Sequence, residues 1–359
     1  LTVSGALSHS ADIAIDVATG KTLSYSGAAV NLGAKTLTLS GGGTLGNTNA
    51  LVLNNAISKL QLDSIILSNA STTADSLGLD VNANSTVTAL SVGHITPVSI
   101  ATGKSLYGAI AVTAGSLKLN ETGTLASTVT MSGGTLDADE TSTVSGALTQ
   151  TADIAIDVAT GKTLTYSGAA VNLGAKTLTL SGGGTLSNTN ALVLNNADSL
   201  LSLDDSSTVG LASVTVGSNA GKGLAVNESS TISSLKVAAN TELKVAQGKV
   251  LSGSTEVAAG KTLKLSGTGT FGSTLNLLGT LEAGANLTVS GLISVGGNSA
   301  VSIPANTTLT YTGGDLNVGA YSLSIGGAGT FSNASGSPLV LNVADSILDL
   351  SGTGTISGP

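Results

Sequence analysis

The feature that most constrains this chain is an internal copy of itself. Thr2–Ala56 and Thr143–Ala197 align without a gap and differ only at Ser8/Thr149, His9/Gln150, Ser10/Thr151, Ser24/Thr165 and Gly46/Ser187. All five exchanges are between small or polar residues. A third, diverged copy starts near Val289, where Gly5, Tyr25 and Asn31 recur as Gly291, Tyr311 and Asn317. The glycines Gly5, Gly146 and Gly291 mark units of 141 and then 145 residues (146 minus 5, 291 minus 146). The chain therefore divides into large repeats at approximately 1–141, 142–286 and a partial 287–359. Repetition at this scale points to a stacked architecture in which each unit completes its core on its neighbours.

Inside the large unit runs a shorter period. Gly5 to Gly27 and Leu23 to Leu45 are each 22 residues apart (27 minus 5, 45 minus 23). Between these points lie alternating segments such as Asp12–Val17, Thr36–Ser40 and Leu263–Leu265. Strict alternation sends one set of side chains inward and the other outward, as in a strand. No sustained helical spacing occurs. Antiparallel hairpins would favour Asn-Gly or Asp-Gly turns, and neither dipeptide is present. The expectation is one continuous all-β solenoid over 1–359. It has parallel strands, coils of roughly 20–24 residues and about 16 coils in all.

Composition supports this and narrows the function. Aliphatic and small residues supply the core, because the chain has two Phe, five Tyr and no Trp. Charged residues are 9%, the net charge is −8, and every basic residue is a lysine. Nucleic-acid binding is not expected, since phosphate contacts need a basic surface and base stacking needs aromatics. Cysteine is absent, which removes disulfides and thiolate metal sites. No apolar run is long enough for a membrane-spanning helix.

Segments such as GKTLTYSGAAVNLGAKTLTLSGGGTL and SGTGTFGSTLNLLGTLEAGANLTVSG resemble the passenger regions of bacterial autotransporters and related large repeat adhesins. The resemblance covers essentially the whole chain. It implies a right-handed parallel β-helix, export to an extracellular, cell-surface location and adhesive or scaffolding roles. The membrane barrel usual at the C-terminus of autotransporters is not in this sequence. The chain opens and closes in mid-pattern, without an atypical capping coil. The expectation is a rigid β-solenoid rod, either part of a longer repeat array or the subunit of a head-to-tail filament. Its partners are then neighbouring repeats or further copies, with host, surface or glycan ligands.

Several stretches invite a chemical reading. Gly41–Gly46 and Gly267–Gly272 fit G-x-G-x-x-G, but no helix pattern follows to receive a pyrophosphate; corners of coils are the expectation. Lys35 reads as a solvated wall residue. His9 becomes Gln150 in the second copy, and His94 stands alone. Carboxylates gather at Asp12/Asp16, Asp153/Asp157, Asp204-Asp205 and most densely at Asp137, Asp139 and Glu140. The last three are candidates for weak calcium binding, or for a polysaccharide-acting or polysaccharide-binding groove, the alternative function. The pairs Thr36/Thr38, Thr163/Thr165, Thr177/Thr179 and Thr308/Thr310 would make an ice- or mineral-binding face if they stacked on one wall. Seven Asn-x-Ser/Thr triplets, including Asn69, Asn84 and Asn306, fit glycan acceptors. No catalytic residue and no cofactor are assigned, and the chain is not expected to be an enzyme.

Overall fold

The computed structural model describes every residue except Ala212, Asn219, Ser335, Ser337 and Pro359, and of Leu211 and Ala220 the backbone alone. The described residues hold only strands, turns and bends. The strands stack in parallel as a β-solenoid of about 17 coils. Two compact units are distinguished, one of residues 1–170 with 184–189, the other of 171–183 with 190–359.

Each full coil contributes to three walls. In the first unit, wall one is a parallel ladder beginning Ile13–Asp16, Thr36–Ser40, Lys59–Asp63 and Gly78–Val81, and continuing to Ile154–Val158. Walls two and three start as separate short strands, Thr22–Tyr25 and Val30–Asn31. In the coils above they fuse into single bent strands, Ser85–Val92 and Ser105–Val112. The second unit repeats the scheme, with Thr177–Ser181, Leu200–Leu203 and Ala220–Val226 opening wall one, and Ser230–Val237 and Val250–Val257 as bent strands.

Alternation sets the core. In Thr36–Ser40 the leucines Leu37 and Leu39 are fully buried, while Thr36 and Thr38 lie at the surface. The same holds for Leu178 and Leu180 in Thr177–Ser181. Register pairs like with like: Leu37 lies opposite Leu60, and Leu60 opposite Leu79. A single-residue slip would turn this whole column to solvent. The coil length varies more than the expected 20–24 residues. Leu263 faces Leu281 after 18 residues (281 minus 263), and Ile325 faces Leu350 after 25 (350 minus 325).

The long coils carry an extra corner built around tyrosine. Tyr25, Tyr166 and Tyr311 are buried. The Tyr166 hydroxyl accepts the Leu148 N–H of the preceding coil at 3.1 Å and donates to the Ala169 carbonyl at 2.6 Å. Tyr25 makes the equivalent bonds with Leu7 (3.2 Å) and Ala28 (2.8 Å), and the Tyr311 hydroxyl accepts the Ile293 N–H. Backbone groups at a corner lack ladder partners and need such a substitute. The short coils bend instead at a glycine, Gly108 or Gly253, at positive φ and pressed against the carbonyl of Val87 or Ile232.

Candidate functional site

A second kind of corner recurs wherever the sequence reads Ala-x-Gly-Lys. In Ala18–Lys21, Ala159–Lys162, Ala246–Lys249 and Ala258–Lys261 the lysine N–H returns to the alanine carbonyl, with the glycine alone at positive φ. That is a type II turn, which needs a left-handed residue at its third position. In Pro304–Thr307 this place falls to Asn306, at φ 61°. The turn carbonyls point at the next coil, where Gly43, Gly184, Gly269, Gly279 and Gly329 meet them; over the further turn Ala101–Lys104, Gly123 meets the Ile100 carbonyl instead. A Cβ on Gly43 or Gly184 would come within 2.5 Å of the Ala18 or Ala159 carbonyl oxygen. Gly43 closes the triple glycine Gly41-Gly42-Gly43, so the first G-x-G-x-x-G match is a corner seated on the turn beneath. Gly269 does the same within the second match. Lys35 is half-buried on wall one, and its carbonyl accepts the Lys59 N–H.

The densest carboxylates sit on wall one of the first unit. Lys118, Asp137 and Asp157 are outward residues in register on three successive coils. The Lys118 ammonium lies 2.9 Å from Asp137 and 3.0 Å from Asp139, bridging them. Glu140 turns to Lys162, 2.6 Å away. Burial pushes the Asp137 carboxyl above its ordinary range against the pull of Lys118, while the hydrogen bond to Asp137 holds Lys118 up. Three of the sequence candidates thus share one surface, divided between two lysines. Among the described residues, no three of His, Asp or Glu are grouped so as to hold a metal ion.

The other candidates are dispersed. Asp12 accepts the Thr36 N–H at 2.8 Å and Asp16 the Ser40 hydroxyl at 2.9 Å, both on the next coil. Asp153 and Asp157 occupy the matching places in the second copy, Asp153 just before the strand Ile154–Val158 and Asp157 on it. Asp204 accepts Asn227 and Ser202, and Asp205 occupies a left-handed turn position. His9 contacts the Leu32 carbonyl, and His94 stands 3.9 Å from Asp75. The threonine pairs divide between walls: Thr36/Thr38 and Thr177/Thr179 lie on wall one, Thr163/Thr165 and Thr308/Thr310 on wall two. Wall two still forms hydroxyl columns, Thr124–Thr143–Thr165–Ser187 in the first unit and Thr270–Thr288–Thr310–Ser332 in the second. Of the Asn-x-Ser/Thr residues, Asn84 accepts the Ser105 N–H across coils, Asn306 sits at its exposed turn, and Asn69 lies within a strand.

Two polar hollows lie in the second unit. One, of about 380 Å³, runs over Glu242, Lys264 and Glu282, in register on successive coils. The Ser266 hydroxyl, with help from Lys264, holds Glu242 below the usual carboxylate range. The other, of about 400 Å³, is lined by Lys236, Glu256 and Asn276 with serines and threonines. Sequence reasoning missed both, because they arise where three coils are juxtaposed rather than from any local motif. No helix among the described residues is long and apolar enough to cross a membrane. Compared with known proteins, the chain matches no family model, no curated protein and no solved structure.

Proposed function

We propose that the chain is a structural or adhesive scaffold of an extracellular surface, one segment of a longer repeat array or of a head-to-tail filament. The observation that carries this reading is where its distinctive residues are used. The tyrosines, the turn glycines and the lysine–carboxylate pairs all join one coil to the next. Tyr25, Tyr166 and Tyr311 bind across coils, and so do the ion pairs Lys59–Asp80, Lys118–Asp137, Lys162–Glu140, Lys249–Glu228 and Lys264–Glu242. What all three copies keep is therefore the tyrosine that ties one coil to the next. The autotransporter and adhesin resemblance adds the surface location.

An antibody against the folded chain tests the location on intact source cells. Labelling before lysis supports the proposal, and labelling only after lysis overturns it. A denaturing gel of the native material separates the two assemblies: one polypeptide far above 34.6 kDa indicates the array, and a single-chain band from an intact fibre indicates the filament.

One observation favours a second reading, action on or binding of polysaccharide. Lys118 between Asp137 and Asp139 places a cation within an acidic cluster on an open wall. A panel of polyuronates and neutral glycans left uncut and unbound removes this reading.

A further inference from the structure

The second unit holds a diverged copy of two coils of the first, and the two copies differ in what their outer surface carries. Ser85–Gly115 and Ser230–Gly260 align without a gap at an offset of 145 (230 minus 85). Both open on a buried serine, Ser85 or Ser230, and both bend at a positive-φ glycine, Gly108 or Gly253. Inside, Leu90 and Leu235, Val92 and Val237, and Val112 and Val257 occupy the same buried places. Outside, on wall three, the register column Ser91–Ala111–Thr130 of the first unit becomes Lys236–Glu256–Asn276 in the second. The first unit stacks without a charge in this column, so the fold does not ask for these side chains.

Lys236, Glu256 and Asn276 line the hollow of about 400 Å³, with Ser234, Ser254 and Thr274 beside them. Its hydrogen-bonding capacity is one-sided. The Ser254 hydroxyl donates to the Ser233 carbonyl at 2.9 Å and the Thr274 hydroxyl to the Gly253 carbonyl at 3.3 Å, both on the coil beneath. With their protons directed inward, these oxygens can only accept. The Asn276 amide donates to the Glu256 carboxylate at 3.4 Å, and the remaining lone pairs of that carboxylate are acceptors as well. Lys236 is exposed, forms no ion pair among the described residues and is the one cation lining the hollow.

We propose that this hollow binds an oligosaccharide bearing uronic carboxylates, laid across successive coils. A surface of acceptors takes a ligand rich in O–H donors, which sugar hydroxyls supply, and a single lysine takes one anionic group on it. The coil spacing of about 4.8 Å separates Lys236 from Glu256, so a carboxylate and a hydroxyl of one sugar chain reach both. A cationic ligand is repelled by Lys236, and a flat aromatic one finds no ring among the lining residues to stack on. The net charge of −8 opposes general adsorption of anions, so an anion held here is held by the local arrangement. The site shares no residue with the Lys118–Asp137 cluster and does not depend on the chain being a surface scaffold.

The test titrates the full chain by calorimetry at low salt, with a galacturonate tetramer and with the neutral cellotetraose. The uronate binds, and the neutral chain binds about fivefold more weakly or less. Lys236→Ser, Glu256→Ala and Asn276→Thr together install the residues that the first unit carries at these places. That triple variant keeps the urea melt and loses the uronate. Lys236→Gln alone weakens uronate binding by about fivefold, and Lys118→Gln leaves it unchanged. No uronate binding, equal binding of the two sugars, or binding that survives the triple variant overturns the proposal. Binding lost with Lys118→Gln but kept with Lys236→Gln also overturns it, and moves the glycan to the acidic cluster of the first unit. Should the triple variant melt early, Lys236→Gln decides alone, and unweakened binding overturns the proposal.

Discussion

Tyr166→Phe and Tyr25→Phe remove the same hydroxyl from two nearly identical sequences, yet the structure assigns them different costs. In the second copy the bond from the Leu148 N–H to the Tyr166 hydroxyl is buried, and Leu148 is 6% exposed. Without its acceptor this donor is stranded away from water, at about 1–3 kcal/mol. The Ala169 carbonyl lies on an exposed residue and finds water at little cost. We therefore expect about 2 kcal/mol, or about thirtyfold in the local opening constant. In the first copy Leu7 is only half-buried, so water substitutes and the loss stays below about 1 kcal/mol. Hydrogen-exchange mass spectrometry on peptides covering 142–170 and 1–30 reads both effects separately, which suits a stacked protein that opens locally. Equal losses at the two sites, or a change under about threefold for Tyr166→Phe, would refute the argument.

Three further outcomes follow from the same geometry. Gly184→Ala drives a methyl into the Ala159 and Val158 carbonyls and costs about 3 kcal/mol, whereas Gly161→Ala, with open space at positive φ, costs about 1 kcal/mol; urea melts that rank them the other way contradict the stacking rule. Thr255 faces inward between Leu235 and Leu275 with its hydroxyl unpartnered, so Thr255→Val raises the urea midpoint by an amount equal to about 1 kcal/mol at unchanged slope, and a lowered midpoint shows a hidden partner. Glu242 is held below its ordinary value, so its contribution is present above the ordinary carboxylate range and fades as pH falls through its folded value; Glu242→Gln flattens that acid limb, and an unchanged limb in a pH series of melts assigns it elsewhere.

Much of the architecture could be read from alternation. Leu37 and Leu39 were expected inside, with Thr36 and Thr38 outside, and they are. Period and missing hairpin dipeptides indicated parallel stacking, and the ladders are parallel. The three walls were not legible, because a corner is written in as little as Tyr-Ser-Gly or one bend glycine. Tyr25 read as composition, whereas its hydroxyl closes a junction with a residue 18 positions away. The threonine pairs looked alike but fall on different walls, since equal spacing within a strand says nothing about its place in the coil. Lys118 escaped notice beside Asp137 and Asp139 for a related reason: it reaches them only through the coil register.

The glycine that sits over each Ala-x-Gly-Lys turn has a consequence for how such a chain changes over generations. Ala18–Lys21 dictates Gly43, and Ala159–Lys162 dictates Gly184, across a gap of about one coil. The glycine answers to the shape of the turn rather than to its side chains: Pro304–Thr307 keeps the turn in other residues, and Gly329 still meets its carbonyls. The heritable module is then the junction between coils rather than the coil. Insertions and deletions that exchange half of one junction for the matching half of another leave no scar. The intervals of 141 and then 145 residues, which return the tyrosine junction to its own kind, are the natural steps by which this protein lengthens or shortens.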